Sequence, residues 1–214
     1  MTLTQDDLDA VARAIEADLA GEDAARYAPH YNIAPTAMHW VVRDGPRRRI
    51  VPAAWGIVAP ERPLVINARA ETVASRPLFR ESFARRRCLV PADGFFEWLG
   101  DKSDRRPIWF HAPDRGVLLF AGLFEEDPQG RLTFAVLTTP ANDVVAPVHD
   151  RMPALLDPDG ARAWLERPER ALLRPAPSAA LIATPVSRRV NSAANDDPEC
   201  LAPPEPVKGQ IRLI

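Results

Sequence analysis

A chain of 214 residues, 46% hydrophobic and 26% charged, can bury a substantial core and is too balanced for a collagen, a coiled coil or a wholly disordered protein. Its 23 prolines, about twice the usual share, favour turns and edge strands over long helices. The net charge of −2 hides an asymmetry: residues 1–25 balance to −6, residues 26–106 to +7 and residues 107–214 to −3.

In chain order, Thr4-Gln5-Asp6-Asp7 reads as a helix start, and Leu8, Val11, Ala12, Ile15 and Leu19 recur at helical spacing until Gly21. Short strands are predicted over Met38–Arg43, Ile50–Val58 and Leu64–Asn67, then a proline-led helix over Pro77–Arg86. A strand-rich block follows: Cys88–Pro91, Gly94–Leu99, Pro107–Ala112, Val117–Phe124 and Arg131–Thr138. The turns between them, such as Pro-Ala-Asp-Gly and Asp-Pro-Gln-Gly, fit antiparallel connections. Short helices are predicted over Asn142–Ala146 and Gly160–Glu166, a late strand over Ala180–Val186, and a loosely ordered tail from about residue 203. With no repeat and no linker, the chain reads as one α+β domain, residues 1–214, dominated by antiparallel strands.

No apolar run is long enough to cross a bilayer as a helix, and the first residues lack the features of a secretory signal. Cys88 and Cys200 lie far apart and four histidines are scattered singly, so neither a metal site nor a cofactor is expected; a reduced, cytoplasmic protein is the simplest reading. Twenty-five of the 27 cations are arginine. A GC-rich coding bias is the simpler explanation, although the basic middle segment could line an anionic groove.

Four islands place polar residues where an apolar strand would not choose them: 31–36, 66–72, 93–98 and 148–153. Glu97, between Phe96 and Trp98, is either a partly desolvated acid suited to proton transfer or an outward carboxylate paired with an arginine. His149 is either an acid or base on a loop or a structural, hydrogen-bonded histidine. Asn67 could orient a reacting group or simply form a turn; Arg69 could clamp a phosphate or pair with Glu71. Trp55 and Trp98 could stack on bases, though core packing is the commoner use of tryptophan. Arg85-Arg86-Arg87 reads as a solvated helix end, and Cys88 as buried packing.

The blocks Tyr-Asn-Ile-Ala-Pro-Thr (31–36), Trp-Gly (55–56), Asn-Ala-Arg-Ala-Glu-Thr (67–72), Arg-Cys-Leu-Val-Pro-Ala-Asp-Gly-Phe-Phe-Glu-Trp (87–98), Phe-Ala-Gly-Leu (120–123), Leu-Thr-Thr-Pro-Ala-Asn (137–142) and His-Asp-Arg-Met-Pro (149–153) together resemble the SRAP family of SOS response-associated peptidase-like, abasic-site processing proteins. The resemblance covers nearly the whole chain. It implies a barrel-like, mostly antiparallel fold with a few peripheral helices. The implied partner is single-stranded DNA carrying an abasic site, often at a junction with duplex, bound by a monomer without a cofactor or membrane and near the nucleoid. In the family an N-terminal cysteine, thought to be exposed by self-cleavage, condenses with the ring-opened sugar aldehyde. The amine forms an imine and the thiol closes it to a thiazolidine, leaving a protein–DNA crosslink.

By motif matching, Asn67 positions the N-terminal group, Glu97 shuttles protons, His149 assists at the sugar and Thr138 hydrogen-bonds the site. Arg69 and Arg76 hold flanking phosphates, Pro35 and Trp98 wedge or stack where strands separate, and Trp55 lines the groove. The sequence departs from the family at its start. Family members open Met-Cys-Gly-Arg-Phe before Thr-Leu-Thr, whereas here Met1 runs directly into Thr2-Leu3-Thr4. Loss of the segment from the sequence as read, a natural variant that binds without crosslinking, and reaction through Thr2 are the three explanations. The last is disfavoured, because four residues span on the order of 13 Å and a reacting amine must come within about 3.5 Å. The chain as read is expected to bind abasic DNA and crosslink poorly. A peptide hydrolase using Glu97 and His149 is the alternative, weakened because no serine or cysteine lies in the four islands. A non-catalytic single-strand binding module is the other.

Overall fold

The structure, a computed structural model, describes residues 1–205 apart from 6, 7, 15, 20, 21, 23, 24, 45, 46, 59–63, 102, 103 and 128. In chain order the elements are α1 (Leu8–Ala14), β1 (Asp18–Leu19), β2 (Met38–Arg43), β3 (Arg49–Trp55), β4 (Asn67–Arg69), α2 (Pro77–Arg85), β5 (Arg87–Ala92), β6 (Gly94–Leu99) and β7 (Arg106–His111). There follow β8 (Leu118–Glu126), β9 (Leu132–Pro140), β10 (Arg151–Pro153), β11 (Leu155–Leu156), α3 (Pro158–Glu166) and β12 (Ile182–Pro185), with short 3-10 turns between α3 and residue 201.

The fold is a β-barrel with peripheral helices. Strand β3 pairs with β2, β2 with β5, β5 with β8 and β8 with β9, all antiparallel; β9 then returns to β3 in parallel at Ala54–Thr133 and Trp55–Phe134. Closure of these five strands removes free edges. The antiparallel expectation holds for most ladders, but β3–β9, β4–β9 and β1–β3 are parallel. The barrel wall is apolar on both faces: Val42, Leu89, Leu123 and Leu137 on one and Phe120 and Phe134 on the other are almost wholly enclosed. Strands β6, β7 and β12 form a second, antiparallel sheet beside it. Gly94 opens β6 because Trp109 packs onto its Cα: an added Cβ would lie 2.0 Å from the indole nitrogen.

The first helix differs from its expectation. It ends at Ala14, and Asp18–Leu19 instead pairs with β3. The Thr4 amide and hydroxyl both donate to Asp93, so Asp93 rather than a helix start takes up its hydrogen bonds. Ile15, Gly21 and the two aspartates at 6 and 7 lie outside the described residues. Residues 143–148 form turns rather than the expected helix, and the Asn142 side chain accepts from the amides of Val144 and Val145.

The arginine run at the end of α2 is not solvated throughout. Arg87 is 8% exposed and donates to the carbonyls of Phe83, Ala84, Trp164 and Leu165, closing the C-terminal ends of both α2 and α3. Arg86 pairs with Glu81 and Glu125. Cys88 is fully enclosed, as expected, and burial drives its thiol pKa far up. Among the described residues no helix is long and apolar enough to cross a membrane.

Candidate functional site

One cavity of about 650 Å³ lies between the barrel and the second sheet and gathers residues from every part of the chain. Pro35 and Trp55 reach it from the β2–β3 side, Asn67 and Arg69 from β4, Glu97 and Trp98 from β6, Thr138 from β9 and His149 from the turn before β10. Eight of the nine residues singled out in the sequence therefore meet there. Arg76, the ninth, lies in an adjoining cleft of about 540 Å³ that shares Ile66, Asn67 and Arg69 with the cavity. A separate apolar hollow between β8, β11 and residues 172–180 contains none of them.

Local geometry explains each placement. Pro35 is exposed, and the next residue, Thr36, has φ of 77° with its amide bonded to the Trp55 carbonyl at 2.8 Å. A β-branched residue in the left-handed region is strained, by about 1–3 kcal/mol. Trp55 is fixed by its indole nitrogen donating to the Ile66 carbonyl at 2.9 Å and by stacking on Phe134. β4 is only three residues long, with Ala68 buried and Asn67 and Arg69 outward. Neither outward side chain has a hydrogen bond or ion pair among the described residues, leaving an amide and a guanidinium free at the cavity wall.

Glu71 is not Arg69's partner. Arg151 takes it, with its terminal nitrogens 2.6 and 3.0 Å from the two carboxylate oxygens, and also donates to the backbone and hydroxyl of Thr138. The pair holds the Glu71 carboxyl below its ordinary value. His149 Nδ1 lies 3.0 Å from the amide nitrogen and 3.1 Å from the carbonyl oxygen of Arg151. The backbone thus holds that edge of the ring in either tautomer, and Nε2 has no partner among the described residues.

Glu97 is half-buried and has no hydrogen bond among the described residues. Desolvation raises its pKa; His149, the Met1 amine and Arg105 oppose the rise, and Asp150 adds to it. Met1 also lines the cavity. Its amine donates to the Ile33 carbonyl at 2.9 Å, and burial lowers its pKa to about 5 against the pull of Asp93, Glu97 and Asp196. An acid shifted up and an amine shifted down border the same space: the amine is largely unprotonated near neutrality, and the carboxyl keeps its proton to higher pH than an exposed glutamate would. Thr2 is wholly buried, its hydroxyl donating to Asp93 and accepting from Trp109.

Lining residues to which the sequence reading gave no role include Met1, Arg105, Arg151 and Asn191. Asn191 belongs to the segment after β12, which folds back over the site. The amide of Asn32 ties that segment down by donating to the carbonyls of Val190, Ser192 and Asn195, and Asp196 accepts from the amides of Tyr31 and Asn32 and pairs with His30. Nothing local marks Asn191; Arg151 stood within the fourth island without a role.

The chain matches the family model for SOS response associated peptidase (SRAP) over residues 1–193. It is 33% identical over 193 residues to abasic site processing protein YoqW of Bacillus subtilis, covering 82% of this chain and 86% of that one. It is 30% identical over 226 residues to abasic site processing protein HMCES of Xenopus tropicalis, covering 84% and 68%. A solved protein from Bacteroides thetaiotaomicron superposes with a TM-score of 0.79, covering 94% of this chain and 97% of that one, at 21% identity, and so shares its fold. The chain belongs to the SRAP family.

Proposed function

We propose that the cavity receives the ring-opened sugar of an abasic site in single-stranded DNA, and that Glu97 moves the protons of imine formation there. One observation carries the reading: Asn67, Glu97, Thr138 and His149, from four separate elements, line one cavity beside a buried amine. The names of the relatives in B. subtilis and X. tropicalis point the same way.

The chemistry suits these residues. A neutral amine attacks the aldehyde carbon and the oxygen takes a proton; the carbinolamine then loses water when an acid protonates its hydroxyl, leaving an imine. Glu97, its pKa raised by burial, supplies and recovers the proton. Asn67 and His149 Nε2, both unpartnered among the described residues, orient the amine and the sugar, and Thr138 hydrogen-bonds the site. Arg69 and, in the adjoining cleft, Arg76 hold phosphates of the strand, while Pro35 and Trp98 meet the bases where strands part and Trp55 lines the groove. An abasic position lacks a stacked base, so opening the strand there is cheap. One chain carries every residue invoked. Met1 stands three residues short of the place of the family's cysteine, yet it lines the cavity and brings its amine there; lacking a thiol, it forms an imine that reverts. A Cys-Gly-Arg-Phe segment ahead of Thr2 supplies the thiol that closes a stable ring.

The test mixes the 214-residue protein with an oligonucleotide bearing one abasic site and resolves the products on a denaturing gel. Expected are non-covalent binding, little crosslink, an adduct after borohydride reduction, and robust crosslinking by the variant with Cys-Gly-Arg-Phe inserted after Met1. If that variant ignores abasic DNA, the reading fails; peptide cleavage lost in Glu97→Gln would favour a hydrolase instead.

A further inference from the structure

The Glu97 wall of the cavity ends in an arrangement that the proposed chemistry leaves unused. The indole nitrogen of Trp98 donates to the side-chain oxygen of Asn191 at 2.7 Å, and the same amide donates its N–H to the Arg105 carbonyl at 3.3 Å. One side chain thus ties β6 and the approach to β7 to the segment that folds over the site. The Arg105 guanidinium lies 6.0 Å from the Trp98 ring centroid, at the outer reach of a cation–π contact, and lines the cavity.

Arg105 differs from its neighbours. Arg106 and Arg188 both pair with Asp104, whereas Arg105 has no ion-pair partner among the described residues. Arg69, also without one, faces the same cavity from β4, which belongs to the barrel sheet, while Arg105 precedes β7 in the other sheet. Two arginines with no ion pair among the described residues therefore border one cavity from two sheets, and Glu97 lines the same cavity.

We infer that Arg105, held against Trp98 by Asn191, is a second backbone contact for the bound strand, taking a phosphate on the Glu97 side of the abasic position while Arg69 takes one on the other. The inference rests on the reading of the cavity as an abasic-DNA site. A guanidinium with no carboxylate partner has its fork free for a phosphate, and an aromatic face orients it without neutralising it. The tether matters as much as the charge. A freely rotating surface arginine loses side-chain freedom on binding, and fixing its backbone and its ring platform through one amide reduces that loss. Asn191 is thus a positioning residue, acting through Trp98 and Arg105.

The test is a fluorescence-anisotropy titration of labelled single strands, one intact and one abasic, across a range of salt. Arg105→Glu should weaken binding to the abasic strand several-fold and lower the slope of log affinity against log salt by at least about 0.7, the share of one phosphate contact on a single strand. Arg105→Lys should keep the slope and recover part of the affinity. Asn191→Ala should lower affinity without changing the slope, since the charge remains, and should red-shift tryptophan emission as Trp98 loses its partner. Thermal melts of each variant separate these effects from unfolding. If the wild type prefers the abasic strand and Arg105→Glu matches it in affinity and slope, this inference is overturned while the functional reading stands. If the wild type binds neither strand, the functional reading itself falls.

Discussion

Arg151 grips Glu71 through both terminal guanidinium nitrogens, at 2.6 and 3.0 Å, across 80 residues of sequence. The contact fastens β10 to the turn after β4, reaches Thr138 on β9, and leaves Arg69 uncommitted. Glu71→Gln should therefore cost little at neutral pH, about 0–1 kcal/mol, because the carboxylate is almost half exposed. The sign with pH is fixed by the depressed pKa: the contribution is present above the unfolded value and is lost as pH falls through the folded one. Denaturation midpoints of wild type and variant should converge in acid, and a gap that widens on acidification would refute this account.

Glu97 behaves in the opposite sense. Its raised pKa means the folded state binds its proton more tightly than the unfolded chain does, so stability falls as pH rises through the unfolded value toward the folded one. Glu97→Gln should match or exceed the wild type in stability at neutral pH, and the gain should vanish below the unfolded pKa. The same variant should slow borohydride-trapped adduct formation about 100- to 10,000-fold while leaving the affinity for abasic DNA nearly intact. A variant that loses binding and chemistry together would show that Glu97 holds the strand rather than the proton.

Thr36 offers a test of strain beside the cavity. Glycine tolerates its φ of 77°, so Thr36→Gly should leave stability unchanged or raise it by up to about 1 kcal/mol, read from chemical denaturation. Clear destabilisation would mean that the threonine side chain contributes more than its backbone costs.

Arg87 is the most consequential structural cation. Arg87→Met removes a buried charge together with its bonds to four carbonyls that end α2 and α3, and should destabilise by about 3 kcal/mol. Arg87→Lys should rescue little, since one ammonium cannot span the four acceptors. Urea titration of both variants decides the matter; a full rescue by lysine would reduce the role to charge alone.

Sequence patterning exposed the longer strands well, because Cys88–Pro91 and Val117–Phe124 of the barrel and Gly94–Leu99 of the second sheet are largely apolar runs bounded by turn residues. It missed β1, β10 and β11, whose two or three residues carry too little pattern to distinguish from loop. Arg87 was misjudged for a related reason: three consecutive arginines look solvated, and only the arrival of α3 from 77 residues away supplies the carbonyls that bury the last of them. The site was legible where polar residues interrupted apolar strands, as at Glu97 and Asn67. It was illegible at Asn191 and Arg105, whose significance depends on one another and on Trp98, not on anything adjacent in sequence.

The fold-back of the segment after β12 has a consequence for how the molecule matures. Asn32 waits for the carbonyls of residues 190, 192 and 195, so this loop is completed only by a stretch made 158 to 163 residues later. Such distant closure is slow relative to local pairing. During synthesis the barrel strands can assemble while the cavity still lacks a wall, and a nascent chain therefore acquires its shape before its candidate site is complete.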